Sequence, residues 1–119
     1  MVIQITVPTP EVTIYKQNDP KESNIYGFTE FHLITRELGG IFMFYNDKDE
    51  LLFVGKARKL RPRIKKHFED TVSQIKEHRD EVVKIEVCLV EDPVHREIYE
   101  TYIINEFKAK YNVEKALFK

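Results

Sequence analysis

The sequence predicts a single α/β domain of the α+β kind: a small, mainly antiparallel three-stranded sheet flanked by helices, with an N-terminal β extension. Three stretches predict it. Residues 40–45 and 51–54 are short aromatic and β-branched runs on either side of Asn46-Asp47-Lys48-Asp49, which is the signal of a hairpin. Residues 83–90 alternate, with Val83, Ile85, Val87 and Leu89 on one side and Lys84, Glu86 and Cys88 on the other, giving a third strand. Asp92-Pro93 then opens an apolar-rich helix reaching about Lys108, because Asp caps free amides and Pro at the first helical position loses no needed donor. A length of 119 residues with 42% hydrophobic content suits one core.

Residues 1–37 form the extension and residues 38–119 the main unit. Within the extension, residues 2–7 alternate like a strand and residues 11–15 read as another, separated by Pro8 and Pro10. Such an arm can add an edge strand, pair with a second subunit or a partner protein, or cover the core, and the sequence leaves these open. Residues 16–24 read as a loop. Phe28, Phe31, Ile34 and Leu38 then keep a helical period, with Thr29 as a cap, until Gly39 and Gly40 stop it. Beyond the hairpin, Gly55 ends the second strand, and Ala57, Leu60, Ile64 and Phe68 recur at helical spacing. Pro62 is compatible with that helix if it starts near Leu60 or Arg61, since first-turn amides have no internal acceptor. Residues 69–81 make a charged connector, helical in part, with Val72, Ile75 and the carbons of Arg79 inward.

Charge is segregated along the chain. The formal net charge is −1, yet residues 56–66 hold seven of the 19 Lys and Arg, leaving 12 basic against 20 acidic residues elsewhere. A local positive stripe on a near-neutral protein fits a phosphate-bearing partner, and a solvated helical face gives the same pattern. The single Cys excludes an intramolecular disulfide framework, and Cys88 reads as packing. No long apolar run or charged leader indicates a membrane span or signal peptide, which points to the cytoplasm. On the last helix, at ~100° per residue, Glu100 projects between Phe107 and Ile104. A carboxylate near the buried face is costly unless paired, by a metal or by the basic helix.

The tripeptides Gly40-Ile41-Phe42 and Phe53-Val54-Gly55, followed by Lys56-Ala57-Arg58-Lys59-Leu60-Arg61-Pro62-Arg63, resemble the GIY-YIG nuclease family. The nearest likeness is the N-terminal endonuclease domain of the bacterial excinuclease. Glu100 and Asn112, twelve residues apart, match a second segment of the same pattern. The resemblance implies a metal-dependent endonuclease of repair or recombination type, acting on DNA in preference to RNA. It places Mg²⁺ or Mn²⁺ on Glu100 and a phosphate clamp at Arg63. His67 stands where members carry Tyr or His, and is a general base of ordinary pKa ~6.5 near neutral pH, while a surface His continuing the cationic face fits as well. Lys56, Arg58, Lys59, Arg61, Lys65 and Lys66 are expected to hold the nucleic-acid backbone, and Asn112 to support the site or cap a helix. Phe42 and Phe53 take the places of the two family tyrosines, which handle the attacking and metal-bound water. Tyr45 faces the opposite side of the strand and does not replace them. Two readings follow: a nuclease using other groups, or a weakened or inactive nucleic-acid-binding module.

Overall fold

In the computed structural model, which describes residues 5–17 and 25–117, strands and helices follow one another as β1 (Val12–Tyr15), β2 (Gly40–Tyr45), β3 (Leu51–Ala57), α1 (Leu60–His67), β4 (Lys84–Leu89) and α2 (Pro93–Glu106). Short 3-10 turns occupy Phe31–Leu33 and Arg79–Glu81. The sheet order is β1-β4-β2-β3, with every neighbouring pair antiparallel. The predicted hairpin and third strand thus supply three of the four strands, with β4 and β2 central and β3 at one edge. Of the roles open to the N-terminal arm, the structure takes the edge strand: Val12 to Tyr15 pair with Val87 to Lys84. Residues 1–4, part of the first predicted strand, and residues 18–24, most of the predicted loop, lie outside the described residues.

Alternation splits the sheet into two buried faces. Phe42, Phe44, Phe53, Ile85 and Val87 meet Leu60, Ile64 and Phe68 around α1, while Ile41, Met43, Val54 and Cys88 meet Ile103 and Ile104 of α2. Each fully buried side chain of this size contributes ~1.5–3 kcal/mol, so the two layers fix both helices firmly to the sheet. The pairing shifts between Phe44 and Tyr45, which pair with Phe53 and Leu51. Leu52 is the extra residue, and it joins Phe53 in the α1 layer. Cys88 is fully buried and its thiol is pushed up to about 12 by burial, consistent with packing.

Helix α1 begins at Leu60 because its first amides find backbone acceptors. Leu60 N donates to Leu38 O at 3.1 Å and Arg61 N to Thr35 O at 3.0 Å, and Pro62 has no amide to satisfy. Helix α2 starts as predicted, with Asp92 Oδ1 accepting from Val94 N at 2.8 Å and from His95 N at 3.4 Å. It ends at Glu106, earlier than expected, and Lys108 adopts a left-handed φ of 53°. The chain then returns along β3, the outer strand. Lys110 N and Tyr111 N donate to Leu51 O and Leu52 O at 3.1 and 2.8 Å, which covers that edge.

Two expected helices are not formed as predicted. The period of Phe28, Phe31 and Ile34 is real as burial, but the residues sit on turns, and only Phe31–Leu33 is a 3-10 turn. Clustering around Phe68, at ring distances of 5.8 Å to Phe28 and 6.2 Å to Phe31, achieves the burial without a helix. Thr29 caps nothing; Thr35 Oγ1 instead accepts from Glu37 N and Leu38 N, each at 3.2 Å. In the connector, helix is confined to the Arg79–Glu81 turn, Ile75 is buried, and Val72 is 80% exposed rather than inward.

Candidate active site

Strand β3, helix α1, helix α2 and the C-terminal segment converge on one polar cavity of about 220 Å³, lined in part by Phe53, Lys56, Arg63, His67, Glu100 and Asn112. Six of the residues singled out by sequence therefore meet in one place. The meeting follows from topology: β3 runs on past Gly55, the residue expected to end it, to Ala57 and leads into α1, while α2 packs on the opposite face and brings Glu100 to the same end of the strand. Gly55 is required there, since a Cβ would stand 2.2 Å from the Cζ of Phe42. Beside the cavity, and sharing Arg63 with it, Arg58, Lys59, Pro62 and Lys66 line an open groove of about 470 Å³.

Glu100 is 7% exposed, and its partner is a residue sequence reasoning missed. Glu100 Oε1 accepts from Lys115 Nζ at 2.5 Å, and Glu97 Oε2 accepts from the same ammonium at 2.8 Å. Glu97 also pairs with Lys56. The counter-charge thus comes from the C-terminal segment, not from the basic helix. Burial opposes the Lys115 charge, but its hydrogen bonds to Glu100 and Glu97 override burial and raise its pKa above the ordinary lysine value. The Lys115 and Lys56 hydrogen bonds hold Glu97 down to about 2. From sequence, Glu97 one turn before Glu100 reads either as a partner supporting that carboxylate or as an ordinary exposed acid, and the i, i+3 relation places both carboxylates on one side of α2. Lys115 belongs to a short segment with no periodicity, so no comparable signal marked it.

Arg63 makes no hydrogen bond or ion pair with any described residue. Other arginines are spent on backbone: Arg61 Nε donates to Ile34 O at 2.7 Å, Arg79 Nε to His67 O at 2.6 Å, and Arg96 Nε to Val90 O at 2.8 Å. Arg61 Nη2 also donates to His32 O at 2.9 Å, so this side chain, expected on nucleic acid, ties the 32–34 segment to α1. Lys65 is half-buried and lines neither the groove nor the cavity. An unpaired guanidinium facing a carboxylate-bearing cavity is suited to bidentate capture of an anion.

His67 is enclosed by aromatic rings, 5.0 Å from Phe53 and 5.4 Å from Phe42 between centroids. Its Nδ1 lies 2.7 Å from Ser73 Oγ, leaving Nε2 as the nitrogen available to a ligand. Burial lowers its pKa to about 4, helped by Arg63 and Arg79 and opposed by Asp70. This differs from the ordinary value expected from sequence, because the imidazole packs against the Phe42 and Phe53 rings rather than continuing the cationic face.

Phe53 lines the cavity and is 5% exposed, whereas Phe42 is fully buried against Gly55 beneath it. Tyr45 belongs to the α2 layer, as its strand position required. Asn112 neither caps α2 nor leaves its amide free. Its Oδ1 accepts from Val54 N at 2.9 Å and its Nδ2 donates to Val54 O at 3.0 Å, bracing the strand between Phe53 and Gly55. Among the described residues no group of three or more His, Cys, Asp or Glu could hold a metal; the carboxylates lining the cavity are the buried Glu100 and the exposed Glu114.

The chain belongs to the GIY-YIG family: the model of the GIY-YIG catalytic domain matches residues 38–112. It is similar to the uncharacterized protein YurQ of Bacillus subtilis (strain 168), at 64% identity over 99% of this chain and all of that protein. It also resembles UvrABC system protein C of Alkaliphilus oremlandii, 31% identical across 65% of this chain but only 13% of that much longer relative. Among solved structures, the GIY-YIG N-terminal endonuclease domain of UvrC from Thermotoga maritima superposes with a TM-score of 0.62 at 25% identity. That match covers 71% of this chain and 93% of the domain, a point mutant bound to its catalytic divalent cation.

Proposed function

We propose that the protein is a metal-dependent endonuclease that hydrolyses phosphodiester bonds in nucleic acid, DNA before RNA, in repair or recombination within the cytoplasm. One observation carries the reading. The buried Glu100 carboxylate and the unpaired Arg63 guanidinium line a single cavity that adjoins a groove of Arg58, Lys59 and Lys66.

The donor set fits a hard divalent cation. Glu100 offers oxygen in a polar cavity and already accepts the Lys115 ammonium at 2.5 Å, so a positive charge is accommodated there. Mg²⁺ retains several waters and needs only one or two carboxylates, so a lone Glu100 suffices, and Mn²⁺ accepts the same ligands. Such an ion supplies charge neutralisation on phosphate oxygens and on the leaving oxygen. Arg63 presents paired donors to the same phosphate, and Arg58, Lys59 and Lys66 hold the backbone on either side without reading bases. His67 is neutral at pH 7 and accepts a proton at Nε2 in the tautomer whose Nδ1–H donates to Ser73 Oγ. Its low basicity makes it a weaker proton acceptor than an ordinary imidazole, which supports slow turnover.

The departures at Phe42 and Phe53 do not argue against an ion site. The related T. maritima domain with a tyrosine changed to phenylalanine is bound to its catalytic divalent cation, so a missing tyrosine hydroxyl and a filled site are compatible in this fold. The second reading, a binding module without catalysis, is favoured by Phe53 in the cavity wall and by Lys115 on Glu100. A nuclease assay on branched, nicked and plain DNA and on RNA, with Mg²⁺, Mn²⁺ or chelator, separates them. Cleavage that needs the ion supports the enzyme; salt-sensitive binding without cleavage under any condition supports the module.

A further inference from the structure

Lys115 lies beyond residues 38–112, so the contact it makes with Glu100 comes from a part of this chain outside the family match. Its placement is built, not incidental. The residue adopts a left-handed φ of 65°, unusual for a side chain with a Cβ, in a segment clamped onto α2. Asn105 provides the clamp: its Nδ2 donates to Thr101 O and Lys115 O, both at 2.8 Å, and its Oδ1 accepts from Leu117 N at 2.6 Å. The result is an ammonium held 2.5 Å from the buried carboxylate of the cavity.

We infer that Lys115 is an internal counter-cation of the metal carboxylate, which a divalent ion must displace from Glu100, so that ion loading releases the C-terminal segment from the cavity. This rests on the reading of Glu100 as the ion's ligand. An ammonium and a divalent ion compete for the buried Glu100 carboxylate, because the ammonium already holds Oε1 and the two positive charges repel. Glu97 offers Lys115 a way out of the cavity. It already accepts from the same Nζ at 2.8 Å and is 45% exposed, so the ammonium can withdraw toward solvent on Glu97 and draw the segment behind it away from Glu100. Glu97 also holds Lys56, the cation on the cavity rim, so the exchange alters the charge facing a bound phosphate as well.

The test is calorimetric titration of the full chain with Mg²⁺ and Mn²⁺, read beside amide hydrogen exchange of residues 114–117. Lys115→Met should bind either ion roughly tenfold more tightly than wild type, a factor ordinary for coupled sites. Asn105→Ala, which loosens the clamp without touching a carboxylate, should give a smaller gain of the same sign. In the wild type, exchange at residues 114–117 should speed up as the ion saturates. Unchanged or weaker affinity in both variants, or exchange indifferent to the ion, overturns the inference while leaving the metal site standing. If neither wild type nor Lys115→Met binds a divalent ion, the metal reading of Glu100 falls and the inference with it.

Discussion

Replacing His67 with phenylalanine should remove much of the acid sensitivity of the fold. In the native protein burial lowers the imidazole to about 4 from an ordinary 6.5, so the charged form is disfavoured in the folded chain. Its contribution to stability is therefore complete above pH 6.5 and is lost as pH falls toward 4. At pH 5 the unfolded chain has bound the proton and the folded one has not, a difference of about 2 kcal/mol relative to pH 7. Phenylalanine suits the site sterically, with Phe53 and Phe42 rings at 5.0 and 5.4 Å, but it forfeits the Ser73 contact at 2.7 Å. His67→Phe should thus lose about 1 kcal/mol at pH 7 and show little further loss at pH 5. Urea unfolding at both pH values measures this directly, the wild-type midpoint moving by roughly 1 M between them. A wild type that loses no more stability between pH 7 and pH 5 than the variant would refute the buried, neutral imidazole.

Two further outcomes follow from the cavity and the groove. Phe53→Tyr places a hydroxyl in the cavity wall, and if the family hydroxyl activates water there, cleavage should rise by ~10²–10⁴-fold in single-turnover assays. No rise would mean that Phe53 is not the missing group. Replacing Arg58, Lys59 and Lys66 together with Gln should lower the salt slope of DNA binding by about 2–3, while Arg61→Gln should reduce stability and leave the slope nearly intact. Equal slopes in the triple variant and the wild type would show that the groove does not carry the backbone.

The framework was legible because its signals are local. Asn46 to Asp49 between aromatic runs made the hairpin, Asp92-Pro93 set the start of α2, and alternation over residues 83–90 gave β4. The cavity was legible through the family resemblance, which singles out Arg63, His67, Glu100 and Asn112; these come together only once the sheet is formed. What escaped was tertiary. Phe28, Phe31 and Ile34 keep a helical period because they surround Phe68, and burial, not helicity, is what their spacing records. Arg61 carries the same charge as Arg63, and only the backbone carbonyls of His32 and Ile34 reveal that it is a brace. Lys115 reaches Glu100 through a clamp on α2 that no pattern in the last residues announces.

The central claim is that Glu100 holds the ion on which phosphodiester cleavage depends, and Glu100→Gln tests it most directly. Glutamine keeps the shape of a 7% exposed side chain and removes its charge. Purified wild type and variant are compared for Mg²⁺- and Mn²⁺-dependent cleavage of the best DNA substrate, with salt-dependent binding measured on the same preparations. The account predicts that cleavage disappears in the variant while binding through the groove persists with an unchanged salt slope. Cleavage by Glu100→Gln at the wild-type rate would contradict it.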